Sequence, residues 1–434
     1  MRQFADMGFR IRPPKEYLLF LLGLVSTWQI LQVGGLALST WLTVLTAGYL
    51  LLTRGFSFKR DWLLLAMLAS AGATLVVSML SGIPGGYKKA ALMGVIQWGL
   101  IFVICTYVRR EDTDVSASAF LRGFDWSCRI QLVWCVLQMV AYYGLNLDIN
   151  TRLFGDLLHM NNETSQYRNG ILACTGLHWH AANLIPILLY TYFRYRNVFV
   201  KLLCLVVVYL TKNATTLIAF VAALGLDFLS FSKRTLSDNR CAISRKITIY
   251  AVFAAFALLL VSPILLPKVW EMVEYLFLRI YQIWNPSYGN ESSTVHFNYY
   301  KHLPYILKNI PIQQMLFGSG LNTSGYRFTQ FFGQYAESIW TVESDFVNGI
   351  LSKGLIGIIL QYWFLFTLCR RLHKTGQAKL AKFVLVLIIS GFIYDNQFIW
   401  VLLLEYLLYC RTYQSPKECV TYESTTDQRH RSGL

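Results

Sequence analysis

Long apolar stretches separated by short polar ones dominate the hydropathy pattern of this 434-residue chain. Many of these stretches reach the roughly 17 to 25 residues that an α-helix needs to cross a bilayer. The stretches 198–231 and 383–411 are interrupted by the polar sequences TKNATT and YDNQ, which predicts two hairpins of short spans. The pattern predicts membrane helices over 17–53 (a pair joined at Gly34 and Gly35), 62–82, 90–108, 126–147, 171–193, 198–231 (a pair), 247–266, 348–369 and 383–411 (a pair).

The expected fold is therefore an all-α polytopic membrane protein with about 12 transmembrane helices. Alternate loops are rich in Lys and Arg, most clearly RRLHKTGQAKLAK at 370–382. The positive-inside rule places these loops and both termini in the cytoplasm. The Lys and Arg residues that produce the net charge of +16 lie mainly in these loops, so a nucleic-acid partner is not expected. The basic segment before the first span carries no cleavage site of the A-x-A type, so no cleavable signal is expected.

One polar segment departs from this alternation. It covers 267–342 and divides the first nine spans (1–266) from the last three (343–411), which a cytoplasmic tail (412–434) follows. Apolar residues at helical spacing over 268–284 predict a helix lying in the membrane interface. A loop of this length is usually functional or disordered, and its many Tyr, Trp and Phe argue against disorder. We expect it to form a site at the outer face of the membrane.

Charged residues at the outer ends of the spans are candidates for chemistry. Glu343 and Asp345 begin the span at 348, where a helix N-terminus favours anions, so simple capping is one explanation. The other explanation is that a carboxylate partly removed from water acts as a general base. Arg168 precedes another span and is either an ordinary interfacial anchor or a guanidinium that binds a pyrophosphate.

The long loop supplies further candidates. Tyr299 and Tyr300 belong to the aromatic run FNYYKHLPY, whose rings suit either packing or stacking on sugars. Three cations would share the negative charge of a pyrophosphate, although each alone also fits a solvated loop residue: His296, Lys301 and Arg327.

Familiar catalytic and metal-binding signatures are missing from the sequence. His178 and His180 lie two residues apart in a predicted helix, so they do not share a helix face as metal ligands. The nine cysteines lie mostly within or beside apolar runs and fit small buried hydrophobes better than a disulfide framework or a metal site. Neither a metal nor a cofactor is expected.

Four stretches, taken in their order and topological placement, resemble the superfamily of O-antigen polymerases (Wzy type) and O-antigen ligases. They are YRNGILACTG (167–176), YLTKNATTLIAF (209–220), the helix and glycine turn ending in LFGSG (316–320), and ESDFVNGILSKGLIG (343–357). In the last stretch the spacing of the ligase motif is kept by Ser344, Gly354 and Gly357, but Glu343 takes the place of the ligase's His. In the third, His296 takes the place of a pyrophosphate-binding Arg. Both departures favour a polymerase.

The resemblance implies a GT-C-like fold with a large periplasmic loop, in the inner membrane of a bacterium. It also implies a glycosyltransferase that needs no metal and polymerises oligosaccharide repeat units carried on undecaprenyl pyrophosphate, which serves as both donor and acceptor. Glu343 or Asp345 would then be the base, Arg168 the pyrophosphate clamp, and a chain-length regulator a further partner beside membrane lipids.

Two alternatives remain open at the level of the sequence. An O-antigen ligase would move finished glycan from the same donor to lipid A core. A flippase for lipid-linked oligosaccharides would need charged residues along a path across the bilayer. The spans are nearly free of charge apart from a few residues, which speaks against a flippase: Arg129, Lys212, Asp227, Lys353, Asp395 and Glu405.

Overall fold

The computed structural model describes residues 14–54, 61–110, 113–160, 165–168, 171–195, 197–235, 274, 278, 281, 291–333, 342–395 and 399–412. These residues are mostly helical. The α-helices are α1 (Pro14–Val25), α2 (Leu38–Arg54), α3 (Trp62–Leu80), α4 (Gly85–Arg110), α5 (Thr113–Leu145), α6 (Ile185–Arg194), α7 (Val198–Leu210), α8 (Ala214–Thr235), α9 (Glu291–Asn309), α10 (Ile312–Phe317), α11 (Ser324–Phe332), α12 (Asp345–Lys374), α13 (Ala378–Gly391) and α14 (Ile399–Arg411).

Within the described residues, four helices are long and apolar enough to cross a membrane: Trp62–Leu80, Gly85–Val108, Val115–Leu145 and Asp345–Lys374. Shorter apolar helices cover Leu38–Thr53, Val198–Leu210 and Ala214–Phe228. The helical character that the hydropathy pattern predicts is thus present. The predicted span 247–266 lies outside the described residues, and 268–284 is described, as helix, only at Glu274, Leu278 and Tyr281.

Polar turns end the short helices where the sequence predicts hairpins. A two-stranded hairpin, β1 (Gln32–Val33) with β2 (Leu36–Ala37), joins α1 to α2. Gly34 and Gly35 form its turn with φ of 60° and 78°, values that glycine adopts without a steric penalty. Residues 211–213 form a second, polar turn, which separates α7 from α8. These two turns are confirmed.

Helices α1 and α5 approach so closely that their backbones touch. A Cβ atom on Gly23 would lie 2.2 Å from the Phe120 carbonyl oxygen, and one on Gly123 would lie 2.0 Å from that of Phe20. Small residues at a crossing allow such an approach in membrane proteins. Around this crossing the core continues through α14, whose ring of Trp400 lies 5.9 Å from that of Phe124.

The prediction of one continuous span over 171–193 is wrong. The segment begins as β4 (Ile171–Ala173), paired with β3 (Gln166–Arg168), and passes through an irregular stretch and a 3-10 turn (Ala181–Leu184). Only Ile185–Arg194 is α-helical. The placement of His178 and His180 in a helix is therefore also wrong, since both precede that turn.

Buried side chains on α5 explain why the irregular stretch is stable. Oε1 of Gln138 accepts hydrogen bonds from the backbone N–H groups of Thr175 and Gly176, both at 3.1 Å. Oε1 of Gln131 accepts one from Leu177 at 2.9 Å. Non-helical backbone inside an apolar bundle needs such partners, because an unpaired N–H there costs a large desolvation free energy.

Helix α12 contains a sharp kink at Gly354, where φ is 70° and ψ is 179°. The kink frees the carbonyl groups of Leu351 and Ser352, and the turn 317–320 binds them. Ser319 N–H donates to Leu351 O at 2.9 Å, and Gly320 N–H donates to Ser352 O at 3.2 Å. A Cβ on Gly354 would lie 2.3 Å from Leu316 O, so only glycine fits this contact. The turn is held to α3 by Thr74, whose Oγ1 donates to Phe317 O at 2.6 Å.

Candidate functional site

The two carboxylates that begin α12 have different surroundings. Ser344 is the N-cap residue, and its hydroxyl accepts a hydrogen bond from Val347 N–H at 3.4 Å. Glu343, just before the cap, is exposed. Asp345, just after it, is only 5% exposed and its carboxylate lies against Gly391. Of the two carboxylates, Glu343 is thus the one exposed at the surface.

A hydrogen-bonded junction fixes the segment beside Glu343. The hydroxyl groups of Tyr300 and Ser344 lie 3.0 Å apart. Tyr300 Oη also donates to the carbonyl of Phe392, which accepts a second hydrogen bond from Ser344 Oγ at 3.1 Å. The junction ties α9 and the start of α12 to the turn that follows α13. Burial raises the pKa of Tyr300, the hydrogen bond with Ser344 lowers it, and the charge of Asp345 raises it further.

An aromatic surface borders this junction, formed by Tyr300, Phe346 and Phe392. The rings of Tyr300 and Phe346 are stacked with centroids 6.4 Å apart, and those of Phe346 and Phe392 are 5.1 Å apart. Tyr300 and Phe392 remain 38% and 42% exposed. Aromatic faces of this kind suit stacking on sugar rings. Tyr299, by contrast, is 2% exposed and packs edge-on against Phe328, so of the predicted pair only Tyr300 is accessible.

Two of the predicted loop cations, Lys301 and Arg327, have different surroundings. Lys301 is exposed on α9. Arg327 on α11 is only 3% exposed, and its guanidinium donates to Ser319 Oγ at 2.7 Å and to the side-chain oxygens of Gln330 and Gln314. Burial lowers its pKa from the usual value, while Tyr326 acts in the opposite direction. Within the described part of the chain Arg327 has no carboxylate partner within 4 Å, and neutral acceptors hold it in place.

Arg168 is the last residue of β3, in the hairpin that precedes the irregular stretch. The side chains of Arg168 and of His296, which lies within α9, are outside the described part of the structure. The hairpin itself is anchored by Asp148, whose carboxylate accepts hydrogen bonds from Ser165 Oγ at 2.7 Å and Tyr167 Oη at 2.8 Å. Burial alone would raise the pKa of Asp148, but these hydrogen bonds outweigh it and leave the pKa below its usual value.

A chain of contacts links this hairpin to the Glu343 segment. Gln166 lies two residues before Arg168, and its Oε1 accepts a hydrogen bond from Ala181 N–H at 3.1 Å. The adjacent His180 ring stacks on Tyr394 with centroids 5.9 Å apart. Tyr394 lies two residues after Phe392, whose carbonyl accepts hydrogen bonds from Tyr300 and Ser344. Gln166 of the hairpin is thus linked through Ala181 and His180 to Tyr394, which follows α13.

Two features of this region were not predicted from the sequence. The turn 317–320 and the Gly354 kink, which belong to separate motif-like stretches, bind each other directly. In the bundle interior, Lys353 donates to Gln361 Oε1 at 2.6 Å and is attracted by Asp345, Asp395 and Glu405. Lys353 and Glu405 are visible in the sequence as charges within apolar runs, which was the available signal.

Comparison with known proteins adds no relative: no protein-family model matches the chain, and no curated protein matches its sequence.

Proposed function

We propose that the protein is a membrane glycosyltransferase that polymerises oligosaccharide repeat units linked to undecaprenyl pyrophosphate, at the periplasmic face of a bacterial inner membrane. The observation that carries the proposal is the exposed carboxylate of Glu343 beside the aromatic surface of Tyr300, Phe346 and Phe392. A carboxylate next to aromatic rings offers both a proton acceptor and a platform for a sugar.

The position of the Arg168 hairpin supports the same proposal. Gln166 of this hairpin is linked through Ala181 and His180 to Tyr394, and Ser344, next to Glu343, binds the carbonyl of Phe392 two residues before Tyr394. A cation and a carboxylate brought together in this region would suit a reaction in which negative charge leaves on a pyrophosphate while a hydroxyl loses its proton. Lys301 and His296 lie on α9, the helix that carries Tyr300 of the aromatic surface, and are the loop cations proposed to contact the pyrophosphate. Arg327 is buried and bound to Ser319 and two glutamine side chains, so its contribution to this charge would be indirect.

The proposed step is a single displacement. A hydroxyl oxygen of the acceptor sugar forms a bond to the anomeric carbon of the donor, and the bond from that carbon to the pyrophosphate oxygen breaks. The electron pair stays on undecaprenyl pyrophosphate, next to Arg168, and the hydroxyl proton passes to Glu343. No metal and no nucleotide takes part in this scheme. General base catalysis of this kind contributes about 10² to 10⁴ in rate.

The test is the glycan profile of cells that carry Glu343→Gln at matched expression. Polymer formation should fall by about 10² to 10⁴, because the amide does not accept the proton. Asp156→Asn is the matched control, since this carboxylate is also exposed, at 58%, but lies outside the proposed site. Its ladder should be normal. A ladder of normal length from Glu343→Gln would rule out Glu343 as the general base. Arg168→Ala should reduce polymer formation by about 10² to 10³, because the leaving pyrophosphate loses its cation.

A second candidate, the flippase for lipid-linked oligosaccharides, is favoured by one observation. Lys353 interacts with carboxylates inside the bundle, including Glu405, which is 1% exposed, and intramembrane charges often mark transport or proton pathways. A deletion strain separates the candidates. One repeat unit still attached to core indicates a polymerase, loss of all attached glycan indicates a ligase, and accumulation of lipid-linked units in the cytoplasm indicates a flippase.

A further inference from the structure

Lys212 is a nearly buried cation at one end of two apolar helices. It lies in the turn 211–213 between α7 and α8 and is only 5% exposed. Its backbone adopts φ 50°, a left-handed value that is uncommon outside glycine, and its N–H donates to Tyr209 O at 3.4 Å. Among the described residues, its ammonium group makes no hydrogen bond and has no carboxylate within 4 Å. A cation that has lost most of its hydration needs an anion or several acceptors to compensate.

Three other lysines of the bundle are less buried than Lys212, yet each has a partner. Lys201 and Lys382 share the carboxylate of Asp227, at 3.3 Å and 2.6 Å. Lys353 donates to a glutamine side chain at 2.6 Å. The chain thus supplies acceptors for lysines that are only partly buried, whereas its described part supplies none for the ammonium group of Lys212. A ligand from outside the chain fits this position.

The start of α8, directly after this turn, adds further donors. Asn213 precedes α8, and its Oδ1 accepts a hydrogen bond from Thr216 N–H at 3.1 Å, as in an N-cap. The N–H groups of Ala214 and Thr215 have no acceptor in the part of the chain that the structure describes, and Thr216 Oγ1 is enclosed there without a hydrogen-bond partner. The positive end of a helix next to a lysine suits an anion with several oxygens, such as a phosphate group.

This turn is joined to the hairpin that carries Arg168. Leu210, the last residue of α7, accepts a hydrogen bond from Cys174 N–H at 3.0 Å. Cys174 directly follows β4, whose Ile171 is the register partner of Arg168. Lys212 and the residue proposed as the pyrophosphate clamp therefore belong to adjoining segments.

The two helices that meet at this turn expose apolar side chains along their length. They are Phe199, Leu202 and Val206 on α7 and Val221, Leu224 and Phe228 on α8. Exposed apolar surface of this kind marks contact with lipid chains in a membrane protein. A lipid satisfies both the helices and the turn, because its chain covers these side chains while its phosphate group reaches Lys212 at their end.

We propose that Lys212 and the start of α8 bind the phosphate group of a membrane lipid, whose chain lies along α7 and α8. The ammonium group supplies the opposite charge, and the N–H groups of Ala214 and Thr215 donate to phosphate oxygens. This binding does not depend on the proposed glycosyltransferase reaction. It rests on that proposed function only for the identity of the lipid, which is then the pyrophosphate-linked substrate.

The test is thermal unfolding of the purified full chain in non-ionic detergent, with and without added lipid. Undecaprenyl phosphate should raise the unfolding midpoint of the wild type, because a ligand that binds only the folded state stabilises it. The rise should be much smaller in Lys212→Gln, whose affinity for the lipid we expect to be about 10- to 100-fold weaker. Lys89→Gln changes an exposed lysine outside the site and should respond like the wild type.

Added compounds of different chemistry identify the ligand. Phosphatidylglycerol and undecaprenyl phosphate both carry a phosphate group, and a response to either one that depends on Lys212 supports the proposal. A larger response to undecaprenyl phosphate identifies a polyprenyl lipid as the ligand. Diacylglycerol lacks the phosphate group and should have no effect. Equal rises in the wild type and Lys212→Gln, or the same rise with inorganic phosphate alone, would overturn the proposal.

Lys212→Met provides a second measurement if Lys212→Gln folds poorly. It removes an uncompensated charge, so in lipid-free detergent its unfolding midpoint should equal or exceed that of the wild type. A clearly lower midpoint would show that the chain itself stabilises the ammonium group, which contradicts the proposal. Since binding is measured without polymerisation, a lipid response in a protein that makes no polymer would disprove only the proposed reaction.

Discussion

Gln138→Leu tests whether side chains of α5 hold the irregular stretch in place. Gln138 is fully buried, and Oε1 accepts two backbone N–H groups, from Thr175 and Gly176. Leucine has a similar volume but no acceptor, so both donors lose their partner. Each orphaned buried donor costs about 1 to 3 kcal/mol, which gives about 2 to 6 kcal/mol for the pair. This is a large part of the roughly 5 to 15 kcal/mol that stabilises a typical domain.

The assay has two readouts, the thermal unfolding midpoint in detergent and amide hydrogen exchange of the segment 171–180. The midpoint should fall clearly and the amides of Thr175 and Gly176 should exchange faster, because they open to solvent more often. Leu137→Ala is the control on the same helix, since Leu137 is 48% exposed and its apolar side chain accepts no hydrogen bond from the backbone. If Gln138→Leu unfolds like this control and the two amides stay protected, the reasoning about buried backbone partners is refuted.

Three further predictions follow from the geometry. Gly354→Ala should destabilise the protein by about 2 kcal/mol or more, because alanine at φ 70° clashes with Leu316 O. The control is Gly72→Ala on α3, where the added Cβ meets open space, and its unfolding midpoint should be nearly unchanged or raised. The hydrogen bonds to Asp148 stabilise the hairpin at pH values above the usual carboxyl pKa of about 3.9, and this stabilisation is lost as the pH falls through the lowered pKa of the folded protein. Amide hydrogen exchange of residues 165–173 should therefore accelerate at that low pH in the wild type. It should not do so in Asp148→Asn. Arg327→Lys should lower the unfolding midpoint, since one ammonium does not replace the planar guanidinium that joins Ser319 to two glutamine side chains, and an unchanged midpoint would contradict this structural role.

Most of the helical fold could be predicted from hydropathy, because long apolar runs have few alternatives to a helix inside a membrane. The error at 171–193 shows the limit of that reasoning. Its apolar residues are compatible with a span, and only long-range bonds from Gln131 and Gln138 make an irregular backbone stable there. The signal in the sequence was on the other helix, as two glutamines seven residues apart within an apolar run.

The candidate site could likewise be predicted only in part from the sequence. Glu343, Asp345 and Tyr300 could be placed near a helix start from the sequence, since charge and aromatic content stand out against the apolar spans. Their surroundings could not. Asp345 is buried and Glu343 is exposed because the chain turns at Ser344, and this turn depends on the carbonyl of Phe392, which is distant in sequence. The kink at Gly354 depends equally on a turn more than thirty residues earlier.

The glycine crossing of α1 and α5 has a consequence for how the chain assembles. Gly23 and Gly123 lie 100 positions apart, so a ribosome has completed α2, α3 and α4 before the surface that receives α1 exists. Until then the Gly23 face of α1 lacks the partner that covers it in the folded protein. Helix α1 thus packs into its final position only after α5 is made, although α1 is synthesised first. A protein split between α2 and α3 should therefore reassemble when its two pieces are produced together.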